Sequence, residues 1–163
     1  MIIGRGDVLD TPIHIIAHQV NCKGVMGAGL AKQIKNKYPR VYSYYKEHCE
    51  AFHYDLLGAK AYFVNSDDTL KPEHLFMNIF GQDGYGRGSV RTDYQAFKNS
   101  LTKGLEFLRA AMCNDSYAVQ IPIAIPYGIG CGLAGGDWDK IKNILEKIER
   151  EENVLFFAYK KED

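Results

Sequence analysis

Apolar residues recur with the period of a helix in two long stretches of the chain. The first set lies at positions i, i+3, i+4 and i+7 and consists of Ile141, Ile144, Leu145 and Ile148. The second keeps that period over about five turns and consists of Tyr94, Phe97, Leu101, Leu105, Leu108 and Met112. Each pattern predicts a helix with one buried face. Two more helices are predicted from about residue 28 to 38 and from Pro39 to roughly residue 50, because proline favours the first helical position.

Short apolar runs between these helices predict six strands, at residues 1–3, 13–20, 59–65, 75–80, 117–125 and 153–159. Strands that alternate with helices are typical of an α/β domain with a mostly parallel sheet and helices on both faces. The runs are aliphatic without clear alternation, as expected for a sheet that is covered on both sides. In such folds ligands bind in the crevice beyond the carboxyl ends of the strands.

Length and charge narrow the class of protein. The chain has 163 residues, the size of one domain, and no repeat or linker divides it. Its 20 Lys and Arg residues balance 20 Asp and Glu residues, which argues against a nucleic-acid partner and against binding to an anionic membrane surface. A small anion bound by backbone amides remains compatible with this balance.

The cysteines and the start of the chain indicate a cytoplasmic protein. The four cysteines, which are widely spaced and form no C-x-x-C motif, are Cys22, Cys49, Cys113 and Cys131. We therefore expect reduced thiols and no metal site. The chain begins directly with a predicted strand, so neither a signal peptide nor a membrane-spanning segment is expected.

Two loops combine glycines with the start of a helix. The first glycine loop, residues 17–32, reads AHQVNCKGVMGAGLAK, and the second glycine loop, residues 126–138, reads PYGIGCGLAGGDW. The N-terminus of a helix carries unpaired N–H groups and a dipole that favours an anion, and glycine lets the backbone approach phosphate oxygens closely. Two such loops predict a clamp around a diphosphate. The alternative is that the glycines serve only as turn residues.

The second glycine loop also matches the dinucleotide-binding pattern G-x-G-x-x-G at residues 130–135. In a Rossmann fold that pattern belongs to the first βαβ unit and more of the sheet follows it. Here only one predicted helix and one predicted strand follow, and the Walker sequence G-x-x-x-x-G-K-S/T does not occur. Neither a nicotinamide or flavin cofactor nor a Walker phosphate loop is therefore expected.

Three blocks of the sequence together resemble a known family. They are GDVL at residues 6–9, AHQVNCKGVMGAGLA at residues 17–31 and IGCGLAGGDW at residues 129–138. In order and spacing they resemble the macro domain, and more narrowly the branch that contains phage-type ADP-ribose 1″-phosphate phosphatases and the terminal ADP-ribose protein glycohydrolase. The resemblance covers nearly the whole chain. It implies that residues 1–163 form one macro domain, a three-layer α/β/α fold with a mixed central sheet and a cleft for ADP-ribose.

The resemblance also implies a set of ligand-binding residues: Asp7, Val8, Asn21, Gly27, Ala28, Gly29, Tyr127, Gly128, Ile129, Gly130, Cys131, Gly132 and Tyr159. In the family, the acid that matches Asp7 bonds the adenine amino group, and the loop that matches residues 128–132 holds the diphosphate. Residues 27–29 match a loop near the diphosphate and the distal ribose, which Asn21 also faces. Phe157, on the last strand with Tyr159, matches the adenine pocket. Asp7 as a turn residue and the last strand as core packing are the alternatives.

Four residues are candidates for the chemistry: His18, Asn21, Asp83 and Asp137. His18 matches a histidine of the phosphatase-like branch and titrates near neutrality, so it serves either as an acid or base or as a buried histidine bonded to the backbone. Asp137 starts a helix, and capping is expected to come before any role as a base. Asp83 lies in the segment GQDGYGRG, which is either a lid that places Tyr85 and Arg87 on the ligand or an exposed connection.

Two departures from the family pattern bear on the mechanism. The glycohydrolase uses a lysine nucleophile in the segment that matches residues 75–94, where this chain has no lysine. Its catalytic aspartate follows G-C-G-L, where this chain has Ala134. The expected function is therefore ADP-ribose binding with hydrolysis of ADP-ribose 1″-phosphate or a related 1″-linked derivative, without a cofactor. The alternatives are a non-catalytic reader of ADP-ribosylated protein and, disfavoured by the short sheet, an NAD-dependent oxidoreductase.

Overall fold

The computed structural model describes residues 1–52, 55–67, 73–86, 88–112 and 116–162. Its six strands are β1 (Ile2–Arg5), β2 (Ile15–Val20), β3 (Tyr62–Asn65), β4 (Leu75–Phe80), β5 (Ile121–Pro126) and β6 (Val154–Lys160). Its four helices are α1 (Gly29–Lys37), α2 (Pro39–Phe52), α3 (Tyr94–Met112) and α4 (Trp138–Glu152). Each lies where the sequence pattern predicts it.

Two predicted strands begin three or more residues later than the apolar runs that suggested them. The run at 59–65 joins the sheet only from Tyr62, because the amide of Ala61 donates to the carbonyl of Ser100 in α3 instead of pairing with a strand. The run at 117–125 joins it only from Ile121, since Ser116–Ala118 form a short 3-10 turn. In both places an apolar run packs against a helix before it enters the sheet.

The sheet has the strand order β1-β6-β5-β2-β4-β3. All neighbouring pairs are parallel except β3 with β4, so the sheet is mixed, as the resemblance implied. Strand β2 lies inside the sheet between β5 and β4. Because five strands run in the same direction, their carboxyl ends meet at one edge, and three of the loops that leave from that edge concern the candidate site. These are the first glycine loop, the second glycine loop and the β4–α3 loop at residues 81–93.

Helices cover both faces of the sheet and complete three layers. On one face α3 and α4 pack through Leu101 and Leu145 against strand residues such as Ile123. On the other face α1 and α2 pack through Ile34 and Val41 against residues that include Ile16, Phe76 and Ala124. Adjacent residues of the central strands are therefore buried on opposite sides, which explains the predicted aliphatic runs without polar alternation. No helix in the described part of the chain is long and apolar enough to cross a membrane.

Candidate functional site

A cleft of about 580 Å³ lies at the carboxyl edge of the sheet, where parallel α/β folds bind ligands. Nine of the predicted site residues line it: His18, Asn21, Gly27, Ala28, Gly29, Gly128, Ile129, Gly130 and Gly132. Tyr85 of the β4–α3 loop lines it as well, whereas Arg87 lies outside the described residues. Seven other predicted residues do not line it: Asp7, Val8, Asp83, Tyr127, Cys131, Asp137 and Tyr159. The cleft therefore unites both glycine loops but leaves out both aspartate candidates for catalysis.

The first wall of the cleft is the start of α1. Ala28 occupies the N-cap position with extended backbone (φ −150°) and makes no side-chain cap to the helix. Gly29 follows with φ +56°, a left-handed conformation that favours glycine. The first N–H groups of α1 are thus left without an internal partner on the side that lines the cleft. Such a helix start attracts an anion through its N–H groups and its dipole.

The second wall is the glycine-rich turn after β5. Ile129 is buried and anchors this turn in the core beneath α3 and α4. On either side of it, Gly128 (φ +72°) and Gly130 (φ +74°) adopt left-handed conformations. The amides of Ile129 and Cys131 are used within the turn, at 3.1 and 2.8 Å from the carbonyls of Pro126 and Gly128. Those of Gly128, Gly130 and Gly132 donate to no acceptor in the described part of the chain, so they are available to a ligand.

Side-chain hydrogen bonds join this second wall to the β4–α3 loop. Gln19 Nε2 donates to Gln82 Oε1 at 2.7 Å and to Thr92 Oγ1 at 2.9 Å. Thr92 Oγ1 in turn donates to the carbonyl of Gly130 at 2.6 Å. Sequence reasoning missed these three polar side chains. Gln19 carried a weak signal, since it is the polar neighbour of His18 in an otherwise apolar strand, but its partners lie 63 and 73 residues further along the chain.

His18 lies at the base of the cleft on the α1 and α2 face of the sheet. Its Nε2 atom is 2.7 Å from Oδ1 of Asn78, and the ring of Phe76 packs edge-on at 6.5 Å. Burial lowers the pKa of His18 to about 4, although the hydrogen bond to Asn78 acts in the opposite direction. At neutral pH the imidazole is therefore uncharged, and one of its ring nitrogens carries a lone pair. The partner is a side-chain amide rather than the backbone group that the alternative interpretation expected.

Asn21 shapes the first glycine loop from within. Its Nδ2 atom donates to the carbonyl of Val25 at 2.7 Å, while its Oδ1 atom accepts from the amide of Lys23 at 2.9 Å. The hydroxyl of Tyr45, on α2, donates to the Asn21 carbonyl at 2.6 Å and lies 2.9 Å from Oδ1. Asn21 thus lines the cleft, but the protein already uses both ends of its amide. Tyr45 therefore helps to position Asn21, a role that the sequence did not reveal.

The two aspartates have structural partners outside the cleft. Asp137 caps α4, since its Oδ1 accepts from the amide of Asp139 at 2.9 Å, which is the role that sequence reasoning placed first. Asp83 is exposed and lies 3.4 Å from the ammonium group of Lys23. Among the described residues that line the cleft, no side chain is an acid, a lysine or an arginine. Backbone amides and the α1 dipole are therefore the available partners for an anion there.

The residues that the resemblance assigned to adenine lie at the carboxyl ends of β1 and β6, on the same edge of the sheet but outside the cleft lining. Asp7 caps a 3-10 turn by accepting from the amide of Leu9 at 2.9 Å, and Val8 is buried beneath that turn. Tyr159 accepts a hydrogen bond from Thr11 Oγ1 at 2.7 Å. Tyr127 packs on Trp138 with ring centroids 4.8 Å apart.

Cys131 and Phe157 complete the predicted residues. Cys131 Sγ donates to the carbonyl of Ile129 at 3.4 Å, and burial raises the pKa of its thiol to about 11. Phe157 is half-buried on β6 and pairs with Ile2 of β1. The adenine assignments stay predictions, because none of these residues lines the cleft.

No family model matches the chain, but curated proteins and solved structures do. A Candida glabrata protein named ADP-ribose 1″-phosphate phosphatase is 28% identical over 176 positions, which cover 94% of this chain and 95% of that protein. A Thermus aquaticus protein named DNA ADP-ribosyl glycohydrolase is 28% identical over 95% of this chain, which spans only 39% of that protein's length.

Solved structures have the same fold over nearly the whole chain. The macrodomain of Mycobacterium tuberculosis DarG matches with a TM-score of 0.75 and 22% identity, covering 97% of both chains. Thermosipho africanus DarTG in complex with ADP-ribose matches with a TM-score of 0.73 and 20% identity, covering 95% of this chain and 40% of that one. At these identities the likeness establishes the three-layer fold, which the sequence resemblance implied.

Proposed function

We propose that this chain is a macro domain, as its likeness to the Candida phosphatase and to the DarG macrodomain suggests, and that it binds ADP-ribose and hydrolyses ADP-ribose 1″-phosphate or a related 1″-linked derivative. One observation carries the proposal: the start of α1 and the turn at 128–132 face one cleft and offer unpartnered amides beside His18. The names of the Candida and Thermus relatives support hydrolysis at the distal ribose.

The geometry supports separate roles for the backbone, which would bind the ligand, and for the side chain of His18, which would act in the reaction. The free amides of Gly130 and Gly132 and the N-terminus of α1 would hold the diphosphate without a cationic side chain. That arrangement would place the distal ribose near His18, which among the described cleft-lining residues is the one whose ordinary pKa lies near neutrality. As a neutral imidazole, His18 would accept the proton of the attacking water. Ala134 and the lysine-free segment 75–94 argue against a lysine adduct.

The extent of the domain, its location and the site for the adenine belong to the same proposal. We infer that residues 1–163 act as one domain in the cytoplasm, with the adenine held near Asp7, Val8 and Tyr159. ADP-ribose attached to protein would reach the cleft through its distal end, past Tyr85. The rival function is a reader of ADP-ribosylated protein that binds without turnover, which the lack of a carboxylate among the described cleft-lining residues favours.

Binding is tested by calorimetry of the full chain with ADP-ribose, AMP and NAD. The proposal expects ADP-ribose to bind more tightly than AMP or NAD, because only ADP-ribose places both the diphosphate and a free distal ribose in the cleft. Equal affinity for the three ligands, or a preference for NAD, would contradict both the enzyme and the reader.

Turnover is tested by the release of phosphate from ADP-ribose 1″-phosphate and of ADP-ribose from a 1″-linked ester. His18→Ala is expected to lower kcat by about 100-fold or more, the usual contribution of a general base. The matched control is His14→Ala, since His14 is an exposed histidine that does not line the cleft and whose Nδ1 lies 3.2 Å from the carbonyl of Glu73. Tight ADP-ribose binding with no turnover of either compound would identify a reader instead.

A further inference from the structure

We propose that Asn78 is the positioning residue for His18: its side-chain oxygen holds the imidazole as the Nε2–H tautomer and leaves the Nδ1 lone pair facing the cleft. The inference rests on the proposed function, because it specifies how His18 acts in that hydrolysis. The two residues belong to neighbouring parallel strands and are paired directly in register. The sheet itself therefore fixes their separation.

The tautomer follows from the chemistry of the contact. Nε2 of His18 lies 2.7 Å from Oδ1 of Asn78, and both side chains are buried. An amide oxygen only accepts hydrogen bonds, so the imidazole must donate from Nε2. A neutral imidazole with its proton on Nε2 has a lone pair on Nδ1, and the bond made by one nitrogen sets the role of the other.

The position of His18 indicates where that lone pair points. His18 lines the cleft and Asn78 does not, so the ring edge opposite Asn78 faces the cleft. Nδ1 has no hydrogen-bond partner in the described part of the chain. It is also absent from the fully buried atoms without a partner there, as expected for an atom that the cleft reaches. A ligand or water in the cleft is therefore the available partner for Nδ1.

Packing alone does not explain an asparagine at this position. Strand β4 reads LFMNIF, and its neighbours Met77 and Ile79 are fully buried and apolar. The Nδ2 group of Asn78 is buried and has no hydrogen-bond partner among the described residues, which is a cost that an apolar residue would avoid. The hydrogen bond to His18 therefore explains why an amide side chain occupies this buried position.

The surroundings keep this imidazole neutral, with a lone pair on one ring nitrogen. From the packed elements it is faced by Phe76 and Asn78 of β4, and burial and the Asn78 bond account for its altered pKa, with no charged group contributing. In the hydrolysis, a proton passes from water to Nδ1 while the water oxygen bonds to the reacting centre. The bonding pair of the broken bond leaves with the departing oxygen, which takes the proton back from Nδ1.

The tautomer can be observed directly by NMR of the free protein with ¹⁵N-labelled histidine at neutral pH. The His18 signal is assigned by its loss in His18→Gln. We expect a protonated Nε2 and an unprotonated Nδ1 in the native chain. Asn78→Leu, which removes the acceptor at similar volume, should shift His18 toward the Nδ1–H form. A native Nδ1–H tautomer would overturn the inference.

Kinetics separates positioning from a merely structural role. Asn78→Leu should lower kcat on the order of 10-fold with little change in KM. Asn78→Asp keeps the acceptor and adds a negative charge, so it should retain activity and move the acidic limb of the pH profile upward by about one unit or more. An unshifted profile in Asn78→Asp, or a native kcat in folded Asn78→Leu, would overturn the inference.

The matched control is Ser100→Ala, which removes another buried hydrogen bond to β4, from the amide of Phe80 at 2.9 Å. It should lower stability without changing the tautomer or the pH profile. If the native chain hydrolyses no 1″-linked compound, the proposed function fails on its own. The NMR measurement then still decides whether Asn78 sets the tautomer, because it requires no turnover.

Discussion

At the scale of single residues, the glycines of the cleft differ in how much strain a side chain would cause there. Gly130 combines a left-handed backbone with close neighbours: an added Cβ would lie 3.0 Å from Gln19 Oε1 and 3.3 Å from Thr92 Oγ1. Gly132, two residues later, has an ordinary φ and open space around its Cβ position. The two glycines look alike in the sequence, and only their backbone conformations distinguish them.

This difference gives a prediction about stability. Gly130→Ala should lower the free energy of unfolding by about 1–3 kcal/mol, because alanine is strained in the left-handed region, and should weaken ADP-ribose binding as the turn shifts. Gly132→Ala is the matched control and should change stability by less than about 0.5 kcal/mol. Urea denaturation of both variants checks the claim. Equal losses would show that the conformation of Gly130 is not the cause.

The cysteines show, also at the scale of single residues, how burial changes the pKa of a thiol. Cys22, Cys49 and Cys131 are free thiols, and Cys113 lies outside the described residues. Burial raises the pKa of Cys22 to about 12 and that of Cys131 to about 11, so these thiols are protonated at neutral pH. A protonated thiol is a weak nucleophile. Although Cys131 lies in the second glycine loop, it therefore acts through its backbone in the turn and does not supply a thiolate.

At the scale of elements, the two helices that follow the glycine loops begin differently. Helix α4 is capped by the side chain of Asp137, whereas the N-cap residue of α1 is Ala28, whose side chain makes no capping hydrogen bond. The sequence shows the glycines before both helices but not which helix keeps its N–H groups free. Only α1 begins beside the cleft with an open end.

A substitution at Asp137 tests whether its carboxylate caps or catalyses. Asp137→Ala should lower the free energy of unfolding by about 1 kcal/mol, the usual cost of losing an N-cap, and Asp137→Asn should retain most of that stability. Because Asp137 does not line the cleft, kcat should stay within about threefold of native in both variants. If the Asp137→Asn protein is fully stable but its kcat falls far below the native value, the carboxylate of Asp137 takes part in catalysis.

The β4–α3 loop is anchored at its base although its tip is exposed. The amides of Arg91 and Thr92 both donate to the carbonyl of Ala134, at 2.7 and 3.2 Å, and the amide of Asp93 donates to Gly81 at 2.8 Å. Gln82 and Thr92 form an isolated bridge between the two sides of the loop. Any closure over a ligand would therefore be limited to the segment around Tyr85.

At the scale of the whole molecule, buried neutral histidines make stability depend on pH. The pKa of His18 falls from 6.5 to about 4 on folding, and burial also lowers the pKa values of His48 and His74. Below pH 6.5 the unfolded chain therefore binds more protons than the folded chain, and protonation favours unfolding. The stabilisation is fully present above pH 6.5 and is lost as the pH falls toward 4.

His18 alone should account for about 3 kcal/mol of this loss between pH 6.5 and 4, since each unit of pKa shift corresponds to about 1.4 kcal/mol. The free energy of unfolding, measured by urea titration across that range, should fall less steeply for His18→Asn than for the native chain. The exposed His14, replaced in His14→Ala, is the control. Identical slopes for His18→Asn and the native chain would contradict a neutral buried imidazole.

The sequence by itself determined the elements, their order and the two glycine loops, because periodicity and glycine placement report local backbone and burial. It also identified His18, whose chemistry can be read from its residue type. Strand register, however, brings Asn78 to His18 across 60 residues, and loop packing brings Thr92 to Gln19 across 73. The same packing holds Asp83 and Asp137 away from the cleft. Contacts between side chains distant in sequence depend on which strands are neighbours and in what register, and only the tertiary structure decides that.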